Sequence, residues 1–155
     1  MAKIGGIRRS KSVDKSIIEP LARQAGVVTP FATIRELLCF AAMLGFAMDK
    51  RTKIPSGEVE DVARQQFEEN DSDDYIYLIG VAASGSLEIL KDGNEEELRT
   101  TFEEYAQGGL DIIAAWMSQY NDRKGFQAIV RGLYQNGFID NETIPSDQLL
   151  QSLQF

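Results

Sequence analysis

Histidine does not occur anywhere in the 155 residues, and its absence removes the commonest general base together with the commonest zinc ligand. Ser-His-Asp triads, Cys-His pairs and ordinary zinc sites are therefore excluded. Cysteine occurs once, at Cys39, so no internal disulfide can form. Its setting in LLCFAAML marks a buried thiol behaving as a small hydrophobe. Long apolar runs are missing too: the longest uncharged one, Leu37 to Met48, has 12 residues, too few to cross a bilayer. The amino-terminal MAKIGGIRRSKSVDKS is basic but no apolar stretch follows it, so no secretory signal and a cytoplasmic location are expected. What remains is a globular composition, 43% hydrophobic and 26% charged, at a length that suits one domain with a sizeable core. No internal repeat is present.

The formal net charge of -8 is unevenly spread. Residues 1–54 hold 10 Lys+Arg against 4 Asp+Glu, a net +6, while residues 55–155 hold 6 against 20, a net -14. A basic amino-terminal arm on an acidic body offers two kinds of contact, with nucleic acid through the arm or with a basic partner through the body.

The first 12 residues lack periodicity and are expected to form a flexible basic arm, leaving 13–155 as a single helical domain. From Asp14, the spacing of Ile17, Ile18, Leu21, Ala22 and Ala25 predicts a short helix with Pro20 inside it and Gly26 as its stop. Thr33 and Glu36 form a T-x-x-E capping box. The helix it opens is apolar on every side, as expected of one surrounded by others, and Gly45 within it points to a close neighbour. Val59, Val62, Ala63 and Phe67 predict an amphipathic helix over EVEDVARQQFEEN.

NDSDD resembles half a calcium loop, but the twelfth position from Asn70 is Val81 and from Asp71 is Ala82, not Glu, so no metal site is expected. Asp73 or Asp74 is expected to cap the next helix instead. YIYLIGVAAS predicts a buried helix to about Ser84; the alternative is an α+β fold with a short strand near Tyr75–Val81. Further helices are expected to Gln107, from Leu110, from Lys124 to Tyr134, and at Leu149, Leu150, Leu153 and Phe155 after Ser146. The fold class is thus all-α, with about six to eight helices in one domain.

The glycine pair in FEEYAQGGLDIIAAWM admits three explanations: a helix end, a close approach of another element, or amides offered to a phosphate. Gly108 falls where a C′ glycine belongs, which predicts two helices joined by a corner. Glu103, Glu104 and Asp111 crowd that corner and disfavour an anion. The glycines are expected to be architectural.

In order along the chain, TPFATIRELLCFAAMLGFAMDKRTKIP, IYLIGVAASGSLEILKD and FEEYAQGGLDIIAAWM resemble the family of DNA phosphorothioation-associated protein 4, from about Pro30 to about Gly137. Its most telling motif holds Phe102, Glu103, Glu104, Tyr105, Gly108 and Gly109, which are expected to be structural. The resemblance implies a small accessory protein of prokaryotic DNA modification, restriction or defence. It carries over no catalytic residue.

The expected function is therefore non-enzymatic, through contacts with proteins of the modification or restriction machinery, with no cofactor, metal, membrane or small-molecule substrate. The alternative is a DNA-binding module or regulator touching the DNA backbone non-specifically through Lys3, Arg8, Arg9, Lys11 and Lys15 of the arm and Lys50, Arg51 and Lys53 at a helix end. Carboxylate chemistry at Glu103 and Glu104 is disfavoured, because adjacent residues on a helix point about 100° apart.

Overall fold

The computed structural model describes residues 4–23 and 26–140, so Lys3, Ala25 and the expected terminal helix from Ser146 to Phe155 lie outside the described residues. In chain order these residues form β1 (Ile7–Ser10), a 3-10 turn, a π-helical segment (Asp14–Arg23), α1 (Ile34–Ala47), β2 (Val59–Val62), α2 (Arg64–Glu68), α3 (Asp73–Ser84), a second 3-10 turn (Leu87–Leu90), α4 (Glu95–Gln119) and α5 (Phe126–Gln135). The described chain is mostly helical, with one two-stranded sheet.

The axis of the fold is α4. Its 25 residues give a rod about 37 Å long, and it runs unbroken through Gly108 and Gly109. The corner expected there does not form. A Cβ on Gly109 would be built into the Ala41 carbonyl, only 2.7 Å from the Ala41 Cα, and one on Gly108 into the Lys50 carbonyl. Gly45 faces the same seam from α1, where a Cβ would lie 3.0 Å from the Gly109 nitrogen. The glycines thus let the α1 and α4 backbones approach, and close packing outweighs the roughly 1 kcal/mol that each glycine costs within a helix.

α1 begins as its capping box predicts. The Thr33 hydroxyl accepts from the Glu36 amide at 3.2 Å, and the Glu36 carboxylate accepts from the Ala32 amide at 3.0 Å. The helix buries Leu37, Leu38, Cys39, Ala41, Ala42, Leu44 and Gly45. It is not surrounded, however, because Met43 and Phe46 are exposed. Apolar composition on every side is compatible with one uncovered face, since it states what a surface tolerates and not what covers it.

Two expectations fail together at the amino-terminal end. Residues 4–12 are folded in place of a flexible arm: Ile7 is 1% exposed and Ile4 is equally buried, and β1 pairs antiparallel with β2, Ile7 opposite Val62 and Ser10 opposite Val59. β2 occupies the first part of the segment expected to be helical, and only Arg64–Glu68 takes helical form. Val59 and Val62, three positions apart, have helical spacing, and in the strand they fall on opposite faces, Val59 exposed and Val62 buried. What selects the strand is a partner edge about fifty residues away in sequence, which no local pattern reveals.

Elsewhere the helical reading holds. The π-helical segment buries Ile17, Ile18, Leu21 and Ala22 despite Pro20, whose ring does not fit an ordinary helical turn. Tyr75–Val81 is helical within α3, so the strand considered there does not form. Asp73 and Asp74 lie in the first turn of α3 and Ser72 holds its N-cap position, so neither aspartate is the cap. Among the described residues no helix is long and apolar enough to cross a membrane.

Candidate functional site

Four of the cations expected to meet DNA, Arg8, Arg9, Lys11 and Arg51, are held by acids of the same chain. The Arg8 amide donates to Glu103 Oε1 at 2.8 Å, and its guanidinium donates to the same carboxylate through Nε at 3.1 Å and Nη2 at 3.0 Å. Glu103 is 2% exposed. Arg99 Nε stands 4.0 Å away on the other side and Arg99 Nη2 pairs with Glu96 at 2.6 Å, which also meets Arg8. The hydrogen bond to Glu103 is the main cause that raises the Arg8 pKa, against a lesser lowering by burial.

Arg9 is buried and its Nε donates to Asp14 at 3.1 Å. Lys11 pairs with Glu58 at 3.2 Å and approaches Glu60, and the Glu58 contact raises its pKa. Arg51 donates to Glu104 at 2.6 Å and sits 5.5 Å from the Tyr105 ring centroid. Glu103 and Glu104 thus enter separate ion pairs, one with Arg8 and the other with Arg51. The structure brings no pair of these carboxylates to one point, and among the described residues no cluster of three or more Cys, Asp or Glu could hold a metal.

Of the expected contacts, Lys15, Lys50 and Lys53 keep no acidic partner among the described residues, and neither do Arg123 and Lys124, which no motif in the sequence marks. Lys15 lines an open groove of about 900 Å³ together with Arg23, Arg123 and Lys124. Four cations converge there from segments a hundred residues apart, so proximity in sequence gave no signal of it.

A second surface feature lies on α3. Its inner side buries Ile76, Ile79 and Gly80. On its outer side Leu78 is 59% exposed and Tyr75 is exposed as well, with exposed Ala82 one turn beyond Leu78. These three lie at i, i+3 and i+7, a continuous helical stripe. Asp71 and Asp74 are exposed at its amino-terminal end. The helix expected over YIYLIGVAAS forms, but it is not buried on all sides, because Tyr75, Leu78 and Ala82 stay exposed.

Cys39 is buried, and burial pushes its thiol from 9.0 up to about 12. A thiol reagent at about pH 8 is expected to leave the native protein unlabelled for hours and to label the unfolded chain at once, because only the thiolate is nucleophilic. The folded state keeps its proton between about pH 9 and 12 where the unfolded chain releases it, so this group favours folding below that window and stability falls as pH rises through it. Fast native labelling at about pH 8 would contradict the buried placement.

The family model for DNA sulphur modification system-associated protein 4 matches residues 6–143 of the chain, a span that takes in β1 as well as the three motifs. No curated protein and no solved structure matches it.

Proposed function

The chain belongs to the DNA sulphur modification system-associated protein 4 family, and from that membership we propose that it is a non-enzymatic accessory protein of a DNA phosphorothioation system, docking through the outer face of α3 onto another protein of the modification or restriction machinery. The exposed stripe of Tyr75, Leu78 and Ala82 beside Asp71 and Asp74 carries this reading. An apolar strip of this kind with acids at its end complements a partner surface that has an apolar centre and a Lys or Arg rim. A non-enzymatic role is supported by the missing histidine, the protonated buried thiol of Cys39 and the commitment of Glu103 and Glu104 to ion pairs.

The amino-terminal residues expected to bind DNA support that alternative weakly, because Arg8, Arg9 and Lys11 are already paired within the chain.

Co-purification of the tagged chain with each co-expressed protein of the same modification and restriction system is expected to retain one of them. A Tyr75→Ala, Leu78→Asp variant, with unchanged circular dichroism, is expected to lower that retention at least about tenfold, the effect of losing roughly 1.4 kcal/mol at a central apolar contact. Retention of no member of the set, or a partner indifferent to the double substitution, would remove the proposal.

A further inference from the structure

We propose that the groove between the π-helical segment and the corner from α4 to α5 binds the phosphodiester backbone of DNA. This surface is separate from the outer face of α3 and does not depend on it.

The charge of the groove stands out against the rest of the molecule. Most other described cations are paired with a neighbouring acid, Lys50 and Lys53 excepted, whereas Lys15, Arg123 and Lys124 face this one groove with no acidic partner among the described residues, and Arg23 has only a long 3.9 Å pairing to Asp14. Two acids share the lining, Glu19 and Asp122. Asp122 is committed to the chain itself: its carboxylate accepts from the Lys124 amide at 3.1 Å and the Ala128 amide at 3.0 Å, holding the start of α5. In a protein of net charge -8, a concave surface with four cations and one uncommitted carboxylate is a local reversal of sign, and concave walls concentrate such a field.

The walls are held in place. Gly125, next to Lys124, has φ +86, and a Cβ there would run into the Leu21 side chain of the π-helical segment. Leu21 is completely buried on that contact, which pins the strand of chain bearing Arg123 and Lys124 against the helix bearing Lys15 and Arg23. Mutually repelling cations are therefore kept together by apolar packing, an arrangement that an anion relieves.

The lining also decides the kind of anion. Among the described residues it contains no aromatic side chain on which a base could stack, and Ser16, Ser118 and Asn121 add neutral donors beside the cations. Cations with hydroxyl and amide donors and no stacking platform suit phosphate oxygens rather than bases. The expected binding is independent of sequence and sensitive to salt, and membership of a family associated with a DNA sulphur modification system makes a DNA backbone the phosphate source that this proposal commits to.

The test is fluorescence anisotropy of a short labelled duplex with the full chain, from about 50 to 200 mM salt. The full chain is expected to bind at the low end. A Lys15→Gln, Arg123→Gln, Lys124→Gln variant is expected to lose at least about tenfold in affinity, and the slope of log affinity against log salt to fall in magnitude by about 2 to 3. All three residues are exposed, so the variant should fold, which circular dichroism checks. The comparison is a Lys50→Gln, Lys53→Gln variant, which removes unpaired cations elsewhere and should change affinity less than about twofold. Absence of duplex binding at about 50 mM salt would overturn the proposal, as would equal losses in both variants. Inorganic phosphate raising the melting temperature without any duplex binding would assign the groove to a small anion instead, and would equally overturn it.

Discussion

A Gly109→Ala variant is expected to lose about 3 kcal/mol or more of stability, lowering the melting temperature by roughly 6 to 12 °C for a chain of this size. Local chemistry predicts the opposite sign. In the interior of an exposed helix, glycine to alanine gains about 1 kcal/mol. Here the added methyl would be built into the Ala41 carbonyl of α1, and the atoms it meets are backbone, which no rotamer change can move aside. The α1–α4 seam would have to open, uncovering Leu37, Leu38, Phe102 and Leu110, all fully buried. Gly108→Ala is expected to cost less, because its obstacle is the Lys50 carbonyl in the irregular segment after α1, which can shift. Thermal and urea unfolding followed by circular dichroism would check both. A Gly109→Ala melting temperature equal to or above that of the parent chain would refute the continuous α4 and its close seam.

The next largest effect is expected at Glu103. Removing one partner of a buried ion pair costs about 3 to 5 kcal/mol, because the remaining charge is left uncompensated. Arg8 is 35% exposed, so solvent would recover part of that, and Glu103→Ala is expected to cost about 2 to 3 kcal/mol. The Arg8 amide would lose its acceptor in the same stroke. Glu103→Gln keeps an acceptor for that amide while removing the charge, and is expected to cost about half as much. Since the carboxylate is buried, the loss should persist at about 1 M salt, where a surface pair would be screened. A second readout separates this from a general loss of packing. Glu103 is the anchor of β1 to α4, so limited proteolysis of Glu103→Ala should cut first within residues 4–12 while the helical core stays intact. Resistance of that segment with unchanged unfolding would show that the strand is held without this pair.

Much of the helical framework was legible because its signals are local. The T-x-x-E box located the start of α1, the apolar spacing after Lys124 marked α5, and Tyr75–Val81 is helical as its segment predicts. Gly45 was correctly read as a point of close approach. The same reasoning failed at Gly108-Gly109, because a C′ glycine and a packing glycine look alike until the neighbouring helix is known. It failed at Val59–Val62 because the helical spacing of the two valines is overridden there by pairing with the edge of β1.

The candidate site was legible only as composition. Counting charges along the chain revealed a basic amino-terminal part and an acidic remainder, and suggested the amino-terminal cations as DNA contacts. Folding reassigns them. Arg8 meets Glu103 across 95 residues, Arg9 is drawn into the interior beside Asp14, and the cations left unpaired in a groove include Arg123 and Lys124, which no nearby motif marked.

The amino-acid sequence by itself determined the absence of histidine chemistry and of a disulfide, the helical class, the boundaries of its most periodic helices and the overall charge. Each of these depends on residue type or on neighbours within a few positions. Only the tertiary structure decided that α4 runs through its glycines, that β1 pairs with β2, which acids neutralise which cations, and where unpaired charge and apolar surface remain. Those outcomes depend on approach between segments distant in the chain, where steric fit and Coulomb attraction act over a few ångströms of space and sequence separation carries no information about them.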